Sequence, residues 1–150
     1  MLYAAEVLDP SDAQLRILDK TQDKHLQKSL SVSVKTPPQW ATWEAGLLRI
    51  STMFDLAKLR FYHKAHRSKA KHVKQLVADK NNYLNKKVIK ILHKWDRARW
   101  TSIDIQSLSK NMWKEWIQEA AWEYENKQRN NILPDTLQRQ IKPYIQHNLD

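Results

Sequence analysis

The sequence predicts an all-α protein, residues 1–150 forming one helical domain of about six or seven short to medium helices. Three observations predict it. Gly46 is the single glycine in 150 residues, and hairpin turns, bulges and phosphate-cradling loops all lean on glycine for positive φ or close backbone approach. Apolar residues recur at three- and four-residue spacing along most of the chain, while strict alternation is confined to the short stretch 31–35. Lys, Leu, Gln and Ala, which lose little side-chain freedom in a helix, are abundant.

The elements follow in order. Ser11 and Gln14 form a capping-box pair ahead of a helix that the pattern carries to about residue 29, with Leu15, Leu18 and Leu26 as its core contacts. Residues 31–35 read as an extended linker. Thr36 before Pro37 and Pro38 suits an N-cap and first turn for a short helix stopped at Gly46. Leu47, Leu48 and Ile50 read as a buried connection, and a longer helix runs from Ser51 to about Arg67. A basic helix over 69–79, a break at 81–83 and a helix over 84–95 come next, the last with Leu84, Val88, Ile91, Leu92 and Trp95 inward. Ser107 or Ser109 caps a helix over 110–129, in which Trp113, Trp116, Ile117, Ala120, Ala121 and Tyr124 make a wide apolar stripe. A final helix over 135–147 is interrupted by Pro143.

Absent residue types narrow the chemistry. Without cysteine there is no disulfide, thiol nucleophile or Cys-containing zinc site. The amino-terminal residues lack the basic start and apolar core of a secretory signal, and no apolar run reaches the roughly 20 residues of a membrane span. The expectation is a soluble intracellular protein, nuclear or cytoplasmic, with no membrane partner. No Gly-x-Ser-x-Gly turn is present, and Glu119, Glu123 and Glu125 read as a salt-bridged helix face rather than acid–base catalysts. His63 and His66 are three apart, but the cations around them oppose a metal dication, so they read as surface or phosphate-neighbouring imidazoles. The expectation is a non-enzyme with no catalytic residues, cofactor or metal.

The charge is regional. The net charge is +10, yet residues 56–103 hold 14 Lys and Arg against two acids, Asp79 and Asp96. Between residues 56 and 74 there are seven basic residues and no acid: Lys58, Arg60, Lys64, Arg67, Lys69, Lys71 and Lys74. The run continues through Lys86, Lys87, Lys90, Arg97 and Arg99. Such a surface expects a polyanion, and nucleic acid is the commonest soluble one. Of the seven tryptophans, most fall at inward helical positions. Trp100, beside Arg97 and Arg99, reads as an exposed platform for an unpaired base, and Trp122 as a partner contact. No base-reading element is visible, so sequence specificity is not expected.

The order of certain pieces resembles a known family. Leu2-Tyr3, Glu6-Val7, Leu18-Asp19-Lys20 with Gln22, Thr36-Pro37, Glu44 with Gly46-Leu47-Leu48, and Leu59-Arg60-Phe61-Tyr62-His63 resemble the region after the polymerase core in reverse transcriptases of non-LTR (LINE-type) retrotransposons. The Trp-containing segment 108–131 is similar to a later helix of the same family. Ala4 and Leu8 stand where the family has Gly and Trp, and the metal-binding Tyr-x-Asp-Asp sequence is absent. The resemblance implies thumb and connecting helices without palm or fingers, gripping RNA or a template–primer duplex; Arg60 and His63 lie in a matching motif. The rival expectation is a helical interaction module, a homo-oligomer or one docked on a polymerase partner through apolar surface at Leu2, Tyr3 and Val7.

Overall fold

The computed structural model describes residues 8–33, 35–102 and 105–132. It is all-α. Six α-helices follow one another: α1 (Asp12–Ser29), α2 (Gln39–Glu44), α3 (Ile50–His66), α4 (Lys71–Ala78), α5 (Tyr83–Lys94) and α6 (Lys110–Ile132), with two 3₁₀ segments, Ala98–Ser102 and Ile105–Ser107, between α5 and α6. The expected helix over 135–147 and the apolar patch at Leu2, Tyr3 and Val7 lie outside the described residues.

The helix ends obey local chemistry. The Ser11 hydroxyl accepts from the Gln14 amide at 3.2 Å and the Gln14 side chain accepts from the Ser11 amide at 2.9 Å, completing the capping box. Ser109 accepts from the Met112 amide at the start of α6, and Asn82 accepts from the Leu84 amide at the start of α5. Three helices end alike: the residue after the C-cap turns left-handed, and the next amide reaches back five residues to a helix carbonyl. These residues are Ser31 (φ 53°), Gly46 (φ 70°) and Asp96 (φ 58°), closed by Val32 to Gln27, Leu47 to Thr42 and Arg97 to Leu92.

α3 is the hub. It packs against α1, α4, α5 and α6. Leu56, Leu59, Val88, Ile91, Leu92, Trp95, Trp113, Ile117, Ala120 and Ala121 form the main core, into which the 3₁₀ segments insert Trp100 and Ile105. Trp113 is only 1% exposed, and its indole N–H donates to the Leu59 carbonyl at 2.9 Å, which settles the polar edge of a buried ring. Trp40 and Trp43 of α2 meet edge to face in a second cluster.

Three sequence expectations are overturned. α1 faces inward with Asp19 and Asp23, while Leu18 is exposed and Leu15 and Leu26 are only partly covered. Leu47 is exposed too. Thr36 is not the cap of α2, whose N-cap is Pro38 with no side-chain cap. The reason for the polar face lies in α3. Its N-cap, Arg49, has no capping side chain, so the amino end is satisfied from elsewhere. Asp19 accepts from the Ser51 amide at 2.9 Å and from its hydroxyl at 2.7 Å; Gln22 accepts from the Ile50 amide at 3.0 Å and donates to the Leu48 carbonyl at 3.2 Å. From the opposite side Glu125 of α6, 2% exposed, accepts from the Trp43 indole at 2.8 Å and from the Thr52 hydroxyl. Asp23 accepts from the Thr42 hydroxyl and pairs with Arg49 at 3.0 Å. Carboxylates at a helix amino terminus also meet the positive end of its dipole.

Two stability outcomes follow. A Cβ at Gly46 meets nothing within 4 Å, so Gly46→Ala costs only the left-handed backbone, about 1 kcal/mol in urea unfolding followed by tryptophan fluorescence, and Ser31→Gly gains about 0.5 kcal/mol. Glu125→Ala strands the Trp43 and Thr52 donors in the interior and lowers stability by about 3 kcal/mol or more in the same measurement.

Candidate nucleic-acid interface

α3 is covered over most of its circumference because Thr52, Phe54, Asp55, Leu56, Lys58, Leu59, His63 and Ala65 are all buried. Only Arg60 and Lys64 of this helix are exposed, and Arg67 follows them one turn on. Positions 60, 64 and 67 share a face by the i, i+4, i+7 rule, so the hub helix opens to solvent along a basic strip. The strip leads through exposed Lys69 into α4, where Lys71 and Lys74 are exposed as well.

α4 buries no residue of its own and is held at its carboxyl end. The Asn85 side chain, on α5, donates to the Val77 carbonyl at 3.0 Å and the Asp79 carbonyl at 2.7 Å, and Asn82 donates to the Leu76 carbonyl at 3.1 Å. Where α3 gives way to α4, Arg67, Lys69 and Lys74 converge on one concavity of about 430 Å³, together with His66, Ser68 and Val77. Neither Ser68 nor Val77 stood out in the sequence, since only the turn brings them beside the cations.

The remaining expected residues divide. Lys86 and Lys90 are exposed on the outer face of α5. Lys87 is half-buried and pairs with Asp9 at 3.7 Å. Lys58 is 5% exposed and cannot present its ammonium to a phosphate backbone. His63 is also interior, 3% exposed, stacked on Trp113 with ring centroids 5.7 Å apart, its Nε2 against the Leu108 carbonyl at 3.0 Å. Arg97 is tied to Glu123 and lies over the Trp100 ring at 5.5 Å. Trp100 is no open stacking platform: it is 8% exposed, between Trp113 and Trp116. The apolar demand of the core overrode its basic flanks. Arg97 and Arg99 line a different cleft, walled by Glu119 and Glu123. Among the described residues, no carboxylate forms an ion pair with Arg60, Lys64, Arg67, Lys69, Lys71, Lys74, Lys86 or Lys90. The fold thus sorts a uniform basic run into cations spent on the structure and cations left to solvent.

Trp122 is 39% exposed on α6, as its place off the apolar stripe predicts. Among the described residues no helix is long and apolar enough to cross a membrane, and no three His, Asp or Glu side chains are placed to hold a metal ion.

Lys94 belongs to the spent group, pairing with buried Asp55. Burial raises the Asp55 carboxyl above its ordinary value of 3.8, against the opposing pull of the Lys94 ammonium. A carboxyl with a raised folded-state pKa favours the native state most below its unfolded value, and that contribution is lost as pH climbs through the folded value. The stability of the wild type relative to Asp55→Asn therefore declines as pH rises from below 3.8 toward neutrality, as paired urea titrations measure.

Comparison of the chain with protein-family models, with curated proteins and with solved structures found no match.

Proposed function

We propose that this chain binds nucleic acid through the phosphate backbone, by the exposed basic strip of α3 and its continuation on α4, as a thumb-like, non-catalytic part of a retroelement reverse transcriptase. One observation carries the reading: the hub helix meets solvent through Arg60 and Lys64, with Arg67 at its end, and none of these has a carboxylate partner among the described residues. Unpaired cations on a rigid helix repel one another, and that cost is relieved when phosphates replace the counterions. The resemblance of 59–63 and its neighbouring motifs to non-LTR reverse transcriptases points the same way. The binding residues are Arg60, Lys64, Arg67, Lys69, Lys71 and Lys74, with Lys86 and Lys90 extending the track; Lys58, His63, Lys87, Arg97 and Trp100 serve the interior or its ion pairs.

A helical interaction module, self-associating or docked on a polymerase, is the second reading, favoured by exposed Ile17, Leu18 and Trp122. A dimer by light scattering at high salt that ignores RNA and DNA would establish it instead.

With about five phosphate contacts, log K on duplex DNA falls with log salt at a slope near −4.5. The triple change Arg60→Glu, Lys64→Glu and Arg67→Glu reduces affinity for RNA, DNA and hybrid alike and flattens the slope, while Lys58→Met leaves the slope unaltered. Filter binding across salt measures both, and an affinity independent of salt contradicts the reading.

A further inference from the structure

We propose that the concavity between α3 and α4 is an end-recognition site that takes the terminal phosphate monoester of a polynucleotide. The inference rests on the nucleic-acid reading and adds to it a ligand that a continuous backbone cannot supply.

The first ground is shape. At about 430 Å³ the concavity falls within the range of small-ligand sites, roughly 300–1,000 Å³, and has room for one terminal nucleotide rather than a run of chain. The second is charge. An internal phosphodiester carries one negative charge, whereas a terminal monoester carries nearly two at neutral pH. Arg67, Lys69 and Lys74 bring three cations to this one concavity with no acidic residue in its lining. The cleft beside Arg97 is the useful contrast: it too has two arginines, but Glu119 and Glu123 share its walls and Glu123 already binds Arg97. Of these two concavities, the one between α3 and α4 has the uncompensated excess that a dianion answers.

The third ground is preorganisation. Arg67 Nη1 donates to the Leu108 carbonyl at 3.2 Å, and that carbonyl also meets His63 Nε2 at 3.0 Å. The contact tethers the guanidinium beside the concavity while leaving its other N–H groups for phosphate oxygens, which suits charge-assisted hydrogen bonds. The Ser68 hydroxyl oxygen accepts from the Ala70 amide at 3.2 Å, which positions the hydroxyl at the rim with its hydrogen still to donate. Val77 supplies an apolar surface for the terminal sugar.

The test compares otherwise identical fluorescent oligonucleotides with a 5′-phosphate, a 3′-phosphate or hydroxyl ends, titrated by anisotropy against the whole chain. A phosphate-ended strand binds about tenfold tighter than the hydroxyl-ended one, and Lys69→Gln with Lys74→Gln lowers affinity for both while erasing the difference. Circular dichroism verifies the fold of the variant. Inorganic phosphate and a nucleoside monophosphate are titrated separately against the amide NMR signals of residues 66–74. Equal affinity for all ends, with oligonucleotide binding intact, overturns the end-recognition site and leaves the backbone reading standing. Shifts at 66–74 with free phosphate but no binding of any oligonucleotide overturn both the end-recognition site and the backbone reading and leave a small-anion site. No response in either titration overturns both.

Discussion

The architecture depends on how the amino end of α3 is satisfied. A helix that begins inside a protein leaves amides that cost free energy unless each finds an acceptor. α3 has no local cap, so Asp19, Gln22 and Glu125 supply acceptors from helices on either side, and Arg49 offsets the negative charge gathered there. Once that junction is made, the axis of α3 is fixed relative to α1 and α6, and the apolar faces of α5 and α6 close over the rest of it. The long hub can then be covered on most sides without leaving its first turn unpaired.

The same enclosure decides what the basic run becomes. Seven cations in 19 residues look equivalent along the chain, but the helix they begin on has only a narrow open strip. Lys58 falls on a covered side and Arg60 and Lys64 on the open one. Downstream, Lys87, Lys94 and Arg97 meet Asp9, Asp55 and Glu123, carboxylates far away in sequence. Among the cations without an ion pair to a described carboxylate, Arg67, Lys69 and Lys74 meet at the α3–α4 turn. Electrostatic selection by the fold, rather than composition alone, defines the candidate surface.

Much of this was legible in the sequence. The all-α class, the Ser11 box, the stop at Gly46 and the inward stripe of α6 rest on local rules of spacing and capping, and these hold where tertiary contacts agree with them. The burial of Asp19, Asp23 and Glu125 was not legible, because a carboxylate on a helix reads as a surface group until its partners, 19 to 82 residues away, are known. Trp100 and His63 were misread for a related reason: each sits among basic residues in sequence but among rings in space. The two 3₁₀ segments leave no periodic trace in so short a span. The basic interface was legible as a region; which of its side chains remain available is a property of helix phase and distant acids.

The contact between α1 and its neighbours also differs in kind from those of α5 and α6. It is made largely by carboxylate and amide groups against backbone and hydroxyls, with Ile17 and Leu18 facing outward. Releasing α1 would strip acceptors from the Ile50 and Ser51 amides and from the Thr42 hydroxyl, so its undocking is opposed by the donors it leaves stranded. The tryptophan-rich side is closed by apolar packing, whereas the seat of α1 is closed by directional hydrogen bonds, and its fit therefore tolerates little sliding or rotation of that helix.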